Sequence, residues 1–407
     1  MGDAVTGEGQ GRRVGRPDPT IAMKPLRHVS LLSLCAVACA CASDDAARRD
    51  ASNPALAEVP LEAEADDWNA QLLFDNGDTG IWTVKSFQVF DQLAQREVVG
   101  LDDEGTCWVL VGYSGKWTPL ERVHDGKWLG GLTHGDVDPR IEGAELYTGG
   151  QGGNLYQLTT HRQGALDARL IAHFPGEELH TIVQGELDPR SPGPELLVFT
   201  RPGSLYRVAP TGDDGRFEVE PLGVLDGRVR DAVVLRSVGG ASAEVATVSR
   251  AGALELLRLD ESGAKWTTLH EAQVGMGRIA LGASEPPVLY TTLDDGRIAR
   301  HARAPDGTWS SEVILIDEQG PRGLAAGRFH EDPEVETVAL FGYGREVRLL
   351  SRRPGEAWAV ETLFVDRDKG HWLSPCEIDG RNGTRELIGS GYGGRIFLLS
   401  RPPGYGL

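Results

Sequence analysis

The chain has 407 residues, 40 % of them hydrophobic, and a formal net charge of −19 at neutral pH with a pI near 5.0. Nucleic acid and anionic lipid are held by clustered Lys and Arg, so this acidity argues against a phosphate-binding surface and no nucleic-acid partner is expected. The apolar content is ample for a core, and repeat architectures can keep a chain of this length in one unit.

From Met23 the sequence reads as an export signal: Lys24, Arg27 and His28 form a basic start, and an apolar run from Val29 to Val37 leads into small residues. Residues 1–22, rich in Gly and Arg, sit oddly before such a signal, and Met23 is a candidate start. The signal ends in a cluster of Cys35, Cys39 and Cys41. It resembles a bacterial lipoprotein signal, with Cys39 or Cys41 the lipidated residue, although the usual branched aliphatic residue three positions earlier is missing. Ordinary cleavage after Ala42 is the alternative. The expected location is thus periplasmic or cell-surface, by a lipid anchor or by secretion. Residues 43–67 follow as an acidic, Ala- and Pro-containing stretch with few large apolar residues, read as a disordered tether.

Beyond it one unit recurs. Gly135 to Leu158, GDVDPRIEGAELYTGGQGGNLYQL, returns as GELDPRSPGPELLVFTRPGSLYRV from Gly185 to Val208. Aligning the first residue of each central strand gives the anchors Glu97, Glu145, Glu195, Glu244, Val288, Thr337 and Glu386, spaced by 44 to 50 residues. Eight residues past six of them stands a glycine (Gly105, Gly153, Gly203, Gly252, Gly296, Gly394), as a tight hairpin requires; in the sixth unit Gly344 comes one position early. Four short strands per period, with no helical pattern, predict an all-β, seven-bladed β-propeller over residues 68–407. The last unit lacks an outer strand, and Ala70 to Trp82 mimics Ala168 to His180. An N-terminal strand is therefore expected to complete the seventh blade and close the ring.

These blades resemble the FG-GAP or VCBS repeats of integrin ectodomains and bacterial surface proteins, and WD40 signatures are absent. The resemblance implies a binding role and a D-x-D-x-D-G calcium turn. Here the best match is Asp136, Asp138 and Glu142, with Arg140 where a third carboxylate belongs. Weaker sets are Glu186 with Asp188, and Glu377, Asp379 and Asn382. Alternating carboxylates can wrap a hard cation, yet they also cap tight turns, and with a guanidinium in the loop the capping reading is preferred. No cofactor other than this candidate calcium is expected.

Just before each first strand stand Trp82, Gly130, His180, Arg230, Arg278, Arg322 and His371. Arranged around one mouth, Trp82, His180, Arg230, Arg278, Arg322 and His371 would form a basic, partly aromatic funnel for an anionic ligand such as a carboxylated sugar or a peptide carboxylate. The alternative is that the arginines pair with acids such as Asp231 and Glu334 and stiffen loops. Other motifs are weaker. No zinc-type histidine spacing occurs, and Ser390 lies in a predicted hairpin rather than a nucleophile elbow. Cys107 and Cys376, in different strand positions of neighbouring blades, are read as buried free thiols. The functional expectation is a monomeric, non-catalytic module that holds a protein or glycan partner through its loops. A carbohydrate-active, lyase-like enzyme using the funnel is the alternative.

Overall fold

The computed structural model describes residues 61–401 except 66, 78, 92, 114, 161–165, 192, 213, 236–242 and 379–384. The export signal with Cys39 and Cys41, residues 43–60 of the acidic stretch, and Asp379 and Asn382 lie outside the described residues.

The described chain forms seven four-stranded antiparallel sheets. Blades 1 to 6 are each built from consecutive strands, beginning with Ile81–Phe87, Leu129–Gly135, Leu179–Gly185, Val229–Leu235, Met276–Leu281 and Pro321–Gly327. Blade 7 runs Gly370–Cys376, Glu386–Gly391 and Arg395–Ser400, and its outer strand is Asn69–Asp75, paired from Asn69↔Ser400 to Asp75↔Arg395. The expected closure is therefore present. It leaves no unpaired edge on Arg395–Ser400, and it ties the first described strand to the last. Trp68, just ahead of the closing strand, is buried against blades 6 and 7, and the Arg401 guanidinium lies 4.9 Å from its ring centroid. Packing extends further back than the tether boundary expected from composition: Glu64 N donates to Leu363 O at 2.8 Å, and Ala63 bridges Phe364.

Second strands such as Glu145–Gly150 and Glu195–Thr200 are buried along their whole length, because both faces are covered by neighbouring blades. Outer strands such as Arg216–Val224 alternate exposed and half-buried residues. The core is accordingly a ring of interblade clusters. Leu132, Leu146 and Val99 join blades 1 and 2, for example, and Ile81, Ile388 and Ile396 join blades 7 and 1. Cys107 and Cys376 lie buried and unbonded in those two different clusters.

The anchors begin the second strands; only the sixth strand starts one residue earlier, at Glu336. In five of the blades their chemistry is a turn cap. The Glu145 carboxylate accepts from Val137 N and Asp138 N (3.0 and 3.3 Å), Glu195 from Leu187 N and Asp188 N (2.7 and 2.6 Å), and Glu97 from Val89 N and Phe90 N (2.7 and 3.1 Å). In blade 6 the Thr337 hydroxyl takes this place for Phe329 N. In these blades and in blade 7, where Glu386 accepts from Ile378 N, a buried acceptor satisfies amides that the first turn leaves without ladder partners, whereas Glu244 of blade 4 pairs with Arg258 and Arg303 and Val288 of blade 5 has no side-chain acceptor. The glycines eight residues past the anchors all have positive φ, and in blade 6 that conformation falls on Arg345 (φ 67°) rather than on Gly344. The hairpin geometry is shared by all of these blades, so the backbone imposes it even where the residue is not glycine.

Candidate ligand mouth

Each sequence-selected residue is the second or third residue of an innermost strand, where the ladder shifts register: between Ile81 and Thr83, Leu179 and Thr181, Val229 and Asp231, Met276 and Ile279, Pro321 and Gly323, and Gly370 and Trp372. They therefore lie within the strands, at bulges, rather than just before them. A bulge leaves one residue outside the pairing pattern and re-aims its side chain. Because the bulge recurs at the same level in every blade, these side chains reach one end of the central channel.

The mouth has two arcs. On one, Trp82 meets His371 (ring centroids 4.4 Å apart) and Trp128 (6.0 Å), and Trp128 meets His180 (6.0 Å). His371 continues to Tyr392 (5.1 Å), which lies 6.0 Å from Tyr343. His371 Nδ1 is 3.0 Å from the Trp82 carbonyl, fixing the joint between blades 7 and 1. Trp128 fills the blade 2 place that Gly130 leaves open. On the other arc, Arg230 is salt-bridged to Asp294 at 2.6 Å, and Arg278 donates to the Arg230 carbonyl at 3.4 Å. Arg322 stacks on Tyr343 (4.7 Å) and bonds its hydroxyl, closing the annulus. Deeper in the channel Arg278 lies over the Trp372 ring at 4.3 Å, and Lys85 Nζ donates to Leu132 O at 2.9 Å.

A third tier is invisible to motif reading. The residues six past each anchor, Asp103, Gln151, Arg201, Arg250, Asp294, Tyr343 and Tyr392, each donate a backbone N–H to the carbonyl preceding the innermost strand, at 2.8 to 3.2 Å. These bonds hold the second hairpins against the mouth. Arg228, one of the acceptors, adds a further guanidinium.

The electrostatics follow from this crowding. Burial, then Arg228, Arg278, Arg201 and Arg230, hold His180 well below the ordinary histidine value. Burial and neighbouring guanidiniums bring Arg228 and Arg278 down to about 10, with Asp231 opposing this at Arg278. Burial lowers Lys85 against the pull of Asp231, and raises Asp231 against the pull of Arg278 and Lys85. The buried Nε atoms of Arg228, Arg230 and Arg278 have no acceptor among the described residues. Of the pairings expected from sequence, Asp231 does neighbour Arg278, whereas Arg230 chooses Asp294 and Arg322 chooses Tyr343.

The candidate calcium turn is built differently. Asp138 is buried, and Arg140 grips both its oxygens, with Nε at 2.7 Å from Oδ1; Gln157 and Arg169 approach at 3.4 Å. Burial raises the Asp138 carboxyl, but the Arg140 hydrogen bonds outweigh it and leave it below the usual range. Asp136 is exposed, and Asp136, Asp138 and Glu142 do not gather into a ligand group. Blade 3 repeats the arrangement with Arg190 on Asp188 at 2.7 Å. In both turns a guanidinium stands where a cation would, and no cluster of three metal-type ligands occurs among the described residues.

No family model matches the chain, and no curated protein does. Solved structures do. The WD40 β-propeller domain of Doa1 aligns with a TM-score of 0.58 at 12 % identity over 82 % of this chain and 97 % of that one. The β-propeller domain of Myceliophthora thermophila Cps50 (Swd1) gives 0.57 at 13 % over 82 % and 100 %. YCF48, solved bound to D1 peptide, gives 0.55 at 16 % over 84 % and 98 %. At such identities the likeness is one of fold, and by that fold the chain is a seven-bladed β-propeller.

Proposed function

We propose that the protein is a binding propeller whose mouth holds an anionic group of a protein or glycan. The observation that carries this reading is the set of three buried guanidinium nitrogens, on Arg228, Arg230 and Arg278, that lack an acceptor at one mouth. An unpaired buried donor costs free energy, and adjacent positive charges repel, so an incoming anion relieves both penalties together. The fold supports a binding role of this kind. The signal-like stretch after Met23, with Cys39 or Cys41 as a lipid attachment point, supports export and anchoring to a bacterial membrane, and the 44 to 50 residue period supports an FG-GAP or VCBS type of blade. Titrating the full chain with citrate while following tryptophan fluorescence tests the anion site. Saturable quenching that Arg228→Gln weakens about tenfold or more is expected, and no response would overturn the reading.

A carbohydrate lyase is the second reading, favoured by one observation: His180, kept uncharged by burial and then by its arginine neighbours, is a base beside carboxylate-binding groups. It would take the proton next to a uronate carboxylate while the glycosidic oxygen departs. Ultraviolet absorbance of an unsaturated uronate, lost in His180→Ala, is the measurement that checks it.

A further inference from the structure

We infer that the anionic ligand of this mouth is an acidic oligosaccharide, a chain of uronate-type sugars rather than a peptide carboxylate. The inference rests on the mouth being an anion site and adds the chemistry of the rest of the ligand. Tyr343, Tyr392, Trp82, Trp128 and His180, with the buried His371 linking Tyr392 to Trp82, form a run of rings across the mouth, with successive centroids 4.4 to 6.0 Å apart. A step of that size is close to the span of one pyranose ring. Several neighbours meet edge to face, with interplanar angles of 73°, 87° and 74°. Tyr343–Tyr392 and Trp82–Trp128 are closer to parallel (29° and 34°), so the wall offers both faces and edges, which suit the C–H faces of successive sugars better than one flat heterocycle needing a parallel platform.

The opposite arc carries more charge than one carboxylate balances. Arg230 is matched by Asp294 and Arg201 by Glu178 at 2.8 Å, but Arg228, Arg278 and Arg322 make no salt bridge to a described carboxylate. Asp231 offsets part of the charge at Arg278, leaving an arc of excess positive charge over blades 4 to 6. A peptide C-terminus brings a single carboxylate on a flexible backbone. An oligouronate brings a carboxylate and an apolar ring face in every unit, so both arcs are engaged together along its length.

The test is calorimetry of the full chain with a galacturonate trimer, its methyl ester, a neutral galactose trimer, citrate, and a tripeptide with a free C-terminus. The galacturonate trimer is expected to bind, with the ester and the neutral trimer weaker by about tenfold or more. Trp128→Ala and the milder Trp128→Phe are expected to weaken the trimer while sparing citrate, whereas Arg228→Gln weakens both. Equal affinity for the neutral trimer, binding of the tripeptide without the trimer, or equal loss of citrate and trimer in both Trp128 variants would each overturn the sugar assignment and leave an anion site standing. Failure of citrate and trimer alike would remove both.

Discussion

Gly130 makes room for Trp128: a Cβ at position 130 would stand 2.4 Å from Trp128 Cζ3. In the other six blades the bulge residue itself is aromatic or basic, and in blade 2 the tryptophan two positions earlier takes over that place in the annulus. Gly130→Ala is therefore expected to push the indole off its site between Trp82 and His180. The expected stability loss is in the range of a small overpacking change, about 1–3 kcal/mol. A changed tryptophan emission spectrum alongside a retained cooperative unfolding transition would support the displacement. An unchanged spectrum would show that Trp128 is held by something other than this gap.

His180 should stay uncharged where most histidines titrate. Its folded value is depressed, so the stability linked to it is complete above the ordinary 6.5 and is lost as the pH falls toward the folded value. After burial, Arg228 is the largest cause of the depression, followed by Arg278, Arg201 and Arg230. Arg228→Gln is expected to raise the His180 value toward 6.5, read from its imidazole resonances in a pH titration. If the value does not move, burial alone governs the group, and the arginine arc lies electrostatically further from His180 than the channel geometry implies.

Much of this was legible in the sequence, and the reasons are specific. The anchors were readable because Glu97, Glu145, Glu195 and Glu386 do the same job, capping the same turn, so the period and the chemistry coincide. Closure was readable because Ala70 to Trp82 copies a blade's outer strand. The bulge residues were found as a set because one backbone irregularity recurs in every blade. Trp128 escaped because it enters the mouth from the preceding connection, two positions ahead of the bulge residue that fills this place in the other blades. Tyr343 and Tyr392 escaped because their place, six past the anchor, is filled by residues of unrelated chemistry in other blades; the shared feature is a backbone hydrogen bond, which leaves no mark on side-chain identity. Asp138 looked like a metal ligand from its spacing, while its partner Arg140 was in plain view two residues on.

Arg345 sits at φ 67° in the hairpin position that glycine fills in six other blades. A non-glycine residue there carries a steric penalty of about 1–2 kcal/mol, while glycine costs part of that back through unfolded-chain entropy. Arg345→Gly is expected to stabilise the protein by up to about 1 kcal/mol by these opposing terms. The reverse change, Gly296→Ala in blade 5, should destabilise by more, because its Cβ would also stand 2.2 Å from the Asp317 carbonyl oxygen. Urea unfolding of the two variants checks the pair. Destabilisation by Arg345→Gly would mean that the arginine side chain makes a contact worth more than the strain it imposes.

Glu195 tests the cap itself. Burial pushes its carboxyl up to about 7, against the pull of the Leu187 and Asp188 amides and of Arg207, and Glu97 and Glu145 move in the same direction. With a folded value above the ordinary 4.5, the stability linked to Glu195 is fully present below 4.5 and is lost as the pH rises through 7. Glu195→Gln keeps an oxygen acceptor but cannot ionise. Its stability should therefore decline less than that of the parent across this window, so the variant gains relative ground as the pH rises. Glu195→Ala, which leaves two buried amides without an acceptor, should be lower throughout by about 1–3 kcal/mol, the usual cost of orphaning buried donors. Denaturant melts at both ends of the window separate the two effects. Parallel curves for the parent and the Gln variant would mean that the two amide bonds hold the carboxylate ionised in the fold, and that the turn is capped by a charge rather than by a neutral acid.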